Sequence, residues 1–199
     1  LDPLVKLTQQ ESDDGTIKYL FKLDDGAKVE VVYMPSRSGR KTLCISTQVG
    51  CAMGCSFCAT GLQGLTRDLT AGEIVNQILT VEKLADVDIT NVVIMGMGEP
   101  LDNYQATLKA IRLINDVLNI GMRKITVSTC GLVPQIRKLA QENLQLTLAI
   151  SLHAPNNQLR DQLIPANRKY PIEKLIAACQ DYIDQTNRRV TFEYALMSG

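Results

Sequence analysis

Three cysteines stand on one short loop, Cys51-x3-Cys55-x2-Cys58, with Gly50 and Gly54 beside them. Thiolates are soft ligands, and glycine lets a backbone wrap closely around an ion or a cluster. Three thiolates leave one iron of a 4Fe-4S cube uncovered, so that iron can bind a substrate-like ligand, as the open position of a catalytic zinc does. The amino and carboxylate groups of S-adenosylmethionine suit it. An electron from the cluster would then cleave the sulfonium and release a 5'-deoxyadenosyl radical, chemistry that the cofactor supplies while the protein positions it. The same thiols could instead form a buried cysteine cluster, or a zinc site of a binding module with Cys44 or His153 as fourth ligand. The usual zinc pattern pairs two short knuckles, and this sequence offers no second one.

Gly96-Met97-Gly98-Glu99-Pro100 invites a dinucleotide-binding reading, which fails because the sixth position of that fingerprint falls on Leu101 and a proline interrupts it. Gly96 and Gly98 would ease a strand end in any fold. Beside the cysteine loop Glu99 gains a use, since a carboxylate pairs strongly with the methionine ammonium once both are desolvated. His153 is the sole histidine and closes an apolar run, where a satisfied core histidine competes with a functional one. Cys179 falls in the stripe Ile172, Leu175, Ile176, Cys179 and Ile183, a helical spacing that reads as core. Cys130 stays open. Glu30 reads by default as a solvated strand carboxylate and Cys44 as a small core residue.

The elements that must position these residues alternate. Residues 16–35 place two β-rich segments around Asp24-Asp25-Gly26, a hairpin turn signal, and SRSGRK at 36–41 reads as a short basic linker. Buried-type strand runs follow at 42–48, 89–96, 124–129, 144–152 and 189–197. Thr70 with Glu73 makes a capping box before Ile74, Ile78, Val81 and Leu84, while Pro134 and Pro171 suit first-turn positions of later helices. Such alternation implies right-handed βαβ units and, at this strand count, an α/β fold: an open, partial parallel β/α barrel preceded by a β-hairpin. The division expected is a hairpin and linker over 1–41 and a barrel core over 42–199. In such barrels the working rim lies at the carboxyl ends of the strands. CAMGCSFC, Gly98-Glu99-Pro100, Ser128-Thr129 and Ser151-Leu152-His153 follow or close successive strands, so they converge on one mouth.

Twenty-one Lys plus Arg balance twenty-one Asp plus Glu, so no global field draws the chain onto nucleic acid or an anionic membrane. Any RNA affinity must be local. Arg123-Lys124 and Arg188-Arg189 precede strands, away from the working rim, and read as a solvated face; Arg160, Arg168 and Lys169 follow the fourth strand and face the site. No run approaches the roughly 20 apolar residues of a membrane span, and the expected location is the cytoplasm. There, six cysteines suggest ligands or reactive thiols rather than structural disulfides.

The runs TLCISTQVGCAMGCSFCATG, MGMGEPLDN, TVSTCG and AISLHAPNNQLRDQLIPANRKYPIE resemble the RlmN-type radical methyltransferases, which methylate C2 of adenine in 23S rRNA and tRNA. STQVGC and SLHAPN are particular to these enzymes and to the related Cfr, which methylates C8 of the same adenine. The resemblance runs from about Glu30 to the end of the chain. It implies that Cys51, Cys55 and Cys58 hold the cluster and that Gly98, Glu99, Ser128, Ser151, Leu152 and His153 contact S-adenosylmethionine. It makes Glu30 the proton acceptor and Cys44 the thiol that resolves a covalent enzyme-RNA adduct through a transient disulfide. It further implies an electron donor such as flavodoxin and a monomer that does not engage membranes. In the family mechanism the methyl passes through a C-terminal cysteine, which none of the six present matches. The expectation is therefore a fragment lacking the N-terminal accessory domain and the last strand, inactive in methyl transfer.

Overall fold

A computed structural model describes residues 2–196. Its first strands form an antiparallel meander, β1 (Val5–Glu11), β2 (Ile17–Lys22) and β3 (Lys28–Pro35). Tyr19, Phe21, Val29, Val31 and Tyr33 alternate inward and are buried, which is the period-2 pattern that fixes the face. At the β2–β3 turn Gly26 has φ +87, a conformation free of strain only for glycine, and Asp25 accepts the Ala27 N–H at 3.0 Å. β1 was missed in the sequence because VKLTQQE is exposed along its whole length. Residues 36–40 are a tight turn, Ser36 N–H to Arg40 O at 2.8 Å, and β3 pairs directly with β4 (Lys41–Cys44).

After β4 come the short β5 (Gln48–Gly50), the turn-length helix α1 (Ala59–Leu62) and β6 (Leu65–Asp68), with β5 and β6 paired as a separate two-stranded sheet. Then strands and helices alternate: α2 (Ala71–Ala85), β7 (Asn91–Ile94), α3 (Tyr104–Asp116), β8 (Ile125–Thr129), α4 (Val133–Gln141), β9 (Thr147–Ser151), α5 (Asn157–Leu163), α6 (Ile172–Thr186) and β10 (Val190–Glu193). The large sheet runs β1-β2-β3-β4-β7-β8-β9-β10, parallel from β4 onward and not closed, with β1 and β10 at its edges. This is the expected open barrel behind a hairpin. The capping box forms, with Thr70 N–H on Glu73 at 2.8 Å and Glu73 N–H on Thr70 at 3.2 Å. Ile74, Ile78 and Val81 pack into the core; Leu84 is exposed instead, one step off that face at the helix end. In α6 Leu175 and Cys179 are buried with Ala178 and Tyr182, whereas Ile176 turns outward. Pro171 stands one place before this helix, as its cap.

The two faces of the parallel sheet differ. Leu43, Val92, Ile94, Ile125, Val127, Leu148 and Ile150 lie in the apolar core with the helices. The alternate residues, among them Thr42, Asn91, Thr126, Ser128, Thr147 and Ser151, face cavities on the concave side. A parallel sheet ordinarily buries apolar residues on both faces. A polar concave face therefore marks a ligand chamber.

Candidate active site

At the carboxyl ends of the strands a cavity of about 220 Å³ gathers Cys51, Cys55, Cys58, Gly98, Glu99, Ser128, Ser151 and His153. Four separate chain segments thus meet at one mouth, as the rim argument expects. Leu152 is absent from this lining; its N–H donates to Glu193 O at 3.1 Å.

The cysteine loop is seated by backbone. Cys51 N–H donates to Gly64 O at 3.0 Å and Ser56 N–H to Leu163 O at 3.0 Å. Gly50, at φ +79, lies so near Gly64 that a Cβ would collide with that carbonyl oxygen. Burial is the main reason the Cys51 thiol is pushed up and the Cys55 thiol reaches about 11; their neighbouring thiols and Glu99 add to it. Buried thiols that oppose one another's ionisation favour a cationic centre between them.

Glu99 is 3% exposed, and each carboxylate oxygen accepts one backbone N–H, from Leu101 at 3.0 Å and from Cys130 at 2.8 Å. Burial still raises its pKa, because those two bonds only partly replace lost solvent. Gln48 holds the same turn, accepting the Glu99 N–H at 2.8 Å and donating to Asp68 and Asp102. At Gly98, φ is +101 and a Cβ would meet the Gln48 side chain at 2.6 Å, so glycine is required.

His153 adopts φ +55, unusual for a residue with a Cβ. Its Nδ1 accepts the Ala195 N–H at 3.0 Å, and its ring meets Phe57 edge-on at 5.0 Å. Burial lowers its pKa, with Glu193 opposing and Arg160 assisting.

Glu30 and Cys44 stand outside this cavity. Glu30 faces solvent and pairs with Lys18 at 3.2 Å, while its backbone is tied to the strand-end loop through Ser46 and Met97. Cys44, half-buried between Val32 and Val93, has its thiol raised by burial to about 11. All six cysteines are free, so the transient disulfide is not supported: no thiol stands bonded to Cys44. Arg160 also departs from expectation. It is fully buried, and its guanidinium donates to Leu152 O, Ser151 O, Cys130 O and Asn167, so it braces the ends of β8 and β9 rather than facing RNA.

Sequence reasoning missed Glu193, whose carboxylate accepts from Ser128 at 2.9 Å and Ser151 at 3.2 Å. It ends the fifth parallel strand in register with Ser151, so the rim argument applied to one more strand would have found it. Cys130, left open, lines the cavity, and its thiol is raised well above the ordinary value by burial.

Among the described residues no three His, Cys, Asp or Glu side chains converge on a single metal ion. Cys44 lies outside the cavity and is not placed as a fourth zinc ligand, whereas three thiols around one cavity suit a centre of several metals. The residues present fit a 4Fe-4S cluster, and the buried Glu99 fits an ammonium beside it.

The profile of the Radical SAM superfamily matches residues 45–199. "Probable dual-specificity RNA methyltransferase RlmN" of Desulfitobacterium hafniense (strain Y51) is 54% identical over 210 residues, covering 100% of this chain and 59% of that protein. The protein of the same name from Pelotomaculum thermopropionicum is 55% identical, covering 99% of this chain and 54% of its own length. A crystal structure of a radical SAM methyltransferase from Sphaerobacter thermophilus aligns with TM-score 0.93 at 53% identity, over 100% of this chain and 60% of that one. The chain thus spans less than two thirds of the relatives it matches. A 4Fe-4S cluster and S-adenosylmethionine are what this family implies, and they are what the cavity fits. The chain belongs to the radical SAM superfamily and is similar over its whole length to RlmN proteins.

Proposed function

We propose that the protein is a radical S-adenosylmethionine methyltransferase acting on C2 of adenine in 23S rRNA and tRNA. The single observation that carries this reading is the convergence of Cys51, Cys55, Cys58 and the buried Glu99 on one cavity, in a chain 54% identical to a protein named as a dual-specificity RNA methyltransferase. Cys51, Cys55 and Cys58 would hold the cluster beside S-adenosylmethionine, and together these groups would supply radical chemistry by one-electron cleavage of the sulfonium.

The chain's own residues bind and orient. Cys51, Cys55 and Cys58 hold the cluster. Glu99, ionised by pairing, accepts the methionine ammonium, and the turn at Gly98 brings backbone against the cofactor. Ser128, Ser151 and the Leu152–His153 segment hold the remainder. Ile94, Met95 and Ile164 give the cavity an apolar wall, which limits water at the reacting centre on that side. Glu30 serves as the proton acceptor and Cys44 as the thiol that releases product. Both lie on neighbouring strands at the hairpin side, so RNA approaches from that side. No helix among the described residues is long and apolar enough to cross a membrane, and we place the reaction in the cytoplasm with a flavodoxin-type electron donor and a monomeric enzyme.

The test is deletion of the coding sequence in its source, followed by mass spectrometry of nucleosides from rRNA and tRNA. Loss of 2-methyladenosine is expected. Its persistence refutes the assignment, and loss of 8-methyladenosine in its place moves the target atom to C8.

A further inference from the structure

A second cavity, of about 320 Å³, runs along the concave face from the amino-terminal ends of the parallel strands toward Met95 and Glu193 at their carboxyl ends. The function proposed above makes no use of its amino-terminal end. Parallel pairing places the starts of β4, β8, β9 and β10 on one rim. Arg40 immediately precedes β4, Arg123 and Lys124 precede β8, and Arg189 precedes β10, so basic side chains distant in sequence line this one cavity. Thr126 and Thr147, partners across β8 and β9, add hydroxyls to its wall. Arg123, Lys124 and Arg189 are exposed, as the solvated-face reading expects, and they border this one cavity as well.

The electrostatics are one-sided. None of the four cations takes part in an ion pair among the described residues. One acid, Glu193, lines the cavity, and its carboxylate already accepts from Ser128 and Ser151. In a chain of zero net charge this is a local excess of positive charge. Like charges gathered around a polar hollow repel one another, and an anion between them turns that repulsion into attraction. Guanidinium forks match phosphate oxygens in pairs, a lysine adds a point charge, and threonine hydroxyls donate to the oxygens left over. The hollow has room for one or two phosphate groups.

We propose that the amino-terminal end of this cavity is a phosphate-binding site, taking the phosphate of a free diphosphate-type ligand or a phosphodiester of RNA. It needs neither cluster nor S-adenosylmethionine, so it stands or falls apart from the methyltransferase reading.

The probe is inorganic pyrophosphate, titrated calorimetrically into the protein at low salt. Arg123→Ala/Lys124→Ala and Arg189→Ala are each expected to weaken binding by about tenfold or more, the scale of a lost charge-assisted hydrogen bond. Arg112→Ala, at a surface arginine paired with Glu142 elsewhere, should leave binding unchanged. Circular dichroism checks that each variant is folded; because Arg189 lies on a different strand from the double variant, one misfolded variant leaves the other as a test. A short single-stranded RNA then competes against bound pyrophosphate. Displacement assigns the phosphate to RNA, and no displacement assigns it to a free ligand. The proposal is overturned if the protein does not bind pyrophosphate, or if the cavity variants and Arg112→Ala bind it alike.

Discussion

Replacing Arg160 by methionine tests how the mouth of the barrel is held. The guanidinium is fully buried in α5, and among the described residues no carboxylate is bonded to it. It donates to Cys130 O at 2.6 Å, Ser151 O at 3.0 Å, Leu152 O at 3.1 Å and Asn167 Oδ1 at 2.9 Å. Methionine keeps the length and apolar stem but orphans these acceptors. At about 1 kcal/mol net for each hydrogen bond the loss comes to about 4 kcal/mol, reduced by relief of the buried charge to about 3 kcal/mol. For a chain of this size that lowers the melting temperature by about 6 to 12 °C. Urea unfolding followed by circular dichroism measures it. Arg160→Lys keeps the charge but reaches fewer acceptors, and should fall between. A loss below about 1 kcal/mol for Arg160→Met would refute the bracing role and return Arg160 to the site-facing role that its sequence position suggests.

Two further outcomes follow from the site. Cys55→Ala should abolish loading of iron and sulfide on anaerobic reconstitution, because two thiolates do not hold the cube; near-stoichiometric iron and sulfide in that variant would contradict the ligand assignment. Glu99→Gln should weaken S-adenosylmethionine binding to the cluster-loaded protein by about 2 to 3 kcal/mol, read by calorimetry, since the neutral amide loses the charged contact. The same substitution has a pH signature. Burial raises the folded pKa of Glu99, so this group favours the cofactor-free fold below its ordinary range and that contribution is lost as pH rises through the raised value; Glu99→Gln removes this slope from the stability profile.

Much of this site was legible because its parts carry local signals. The capping box at Thr70 and Glu73 and the turn at Gly26 depend on residues a few positions apart, and each forms as read; the Cys51–Cys58 loop is equally local, and its three thiols line the cavity. What stayed hidden depends on which side of a strand a residue takes and on what crosses from elsewhere. Arg160 reads from its sequence position as facing the site, since arginine is seldom buried; only the folded chain brings three carbonyl ends to it. Glu193 carries no local signal, and only strand register places it beside Ser151. β1 escaped because an exposed edge strand has no apolar alternation to detect.

Where the core lies decides what loss of the cluster would do. Phe21, Leu43, Ile74, Val92, Val127, Leu148 and Leu175 form one apolar cluster away from the chamber, and they are fully buried without help from any cofactor. The loop from Ala52 to Cys58 is different: Ala52, Gly54, Ser56 and Phe57 are exposed, and its backbone rests on bonds such as Ser56 N–H to Leu163 O and Cys58 N–H to Cys55 O at 3.1 Å. Segments with little buried apolar surface open at low free energy while the core stays closed. Stripping the iron with a chelator is therefore expected to leave the global unfolding free energy within about 1 kcal/mol of its loaded value, outside the regime in which a small domain folds only around its metal. Amide exchange at 52–58 should accelerate, while β7, β8 and β9 keep their protection. Cooperative unfolding of the whole sheet on iron removal would mean that the cluster, and not the apolar core, holds the barrel together.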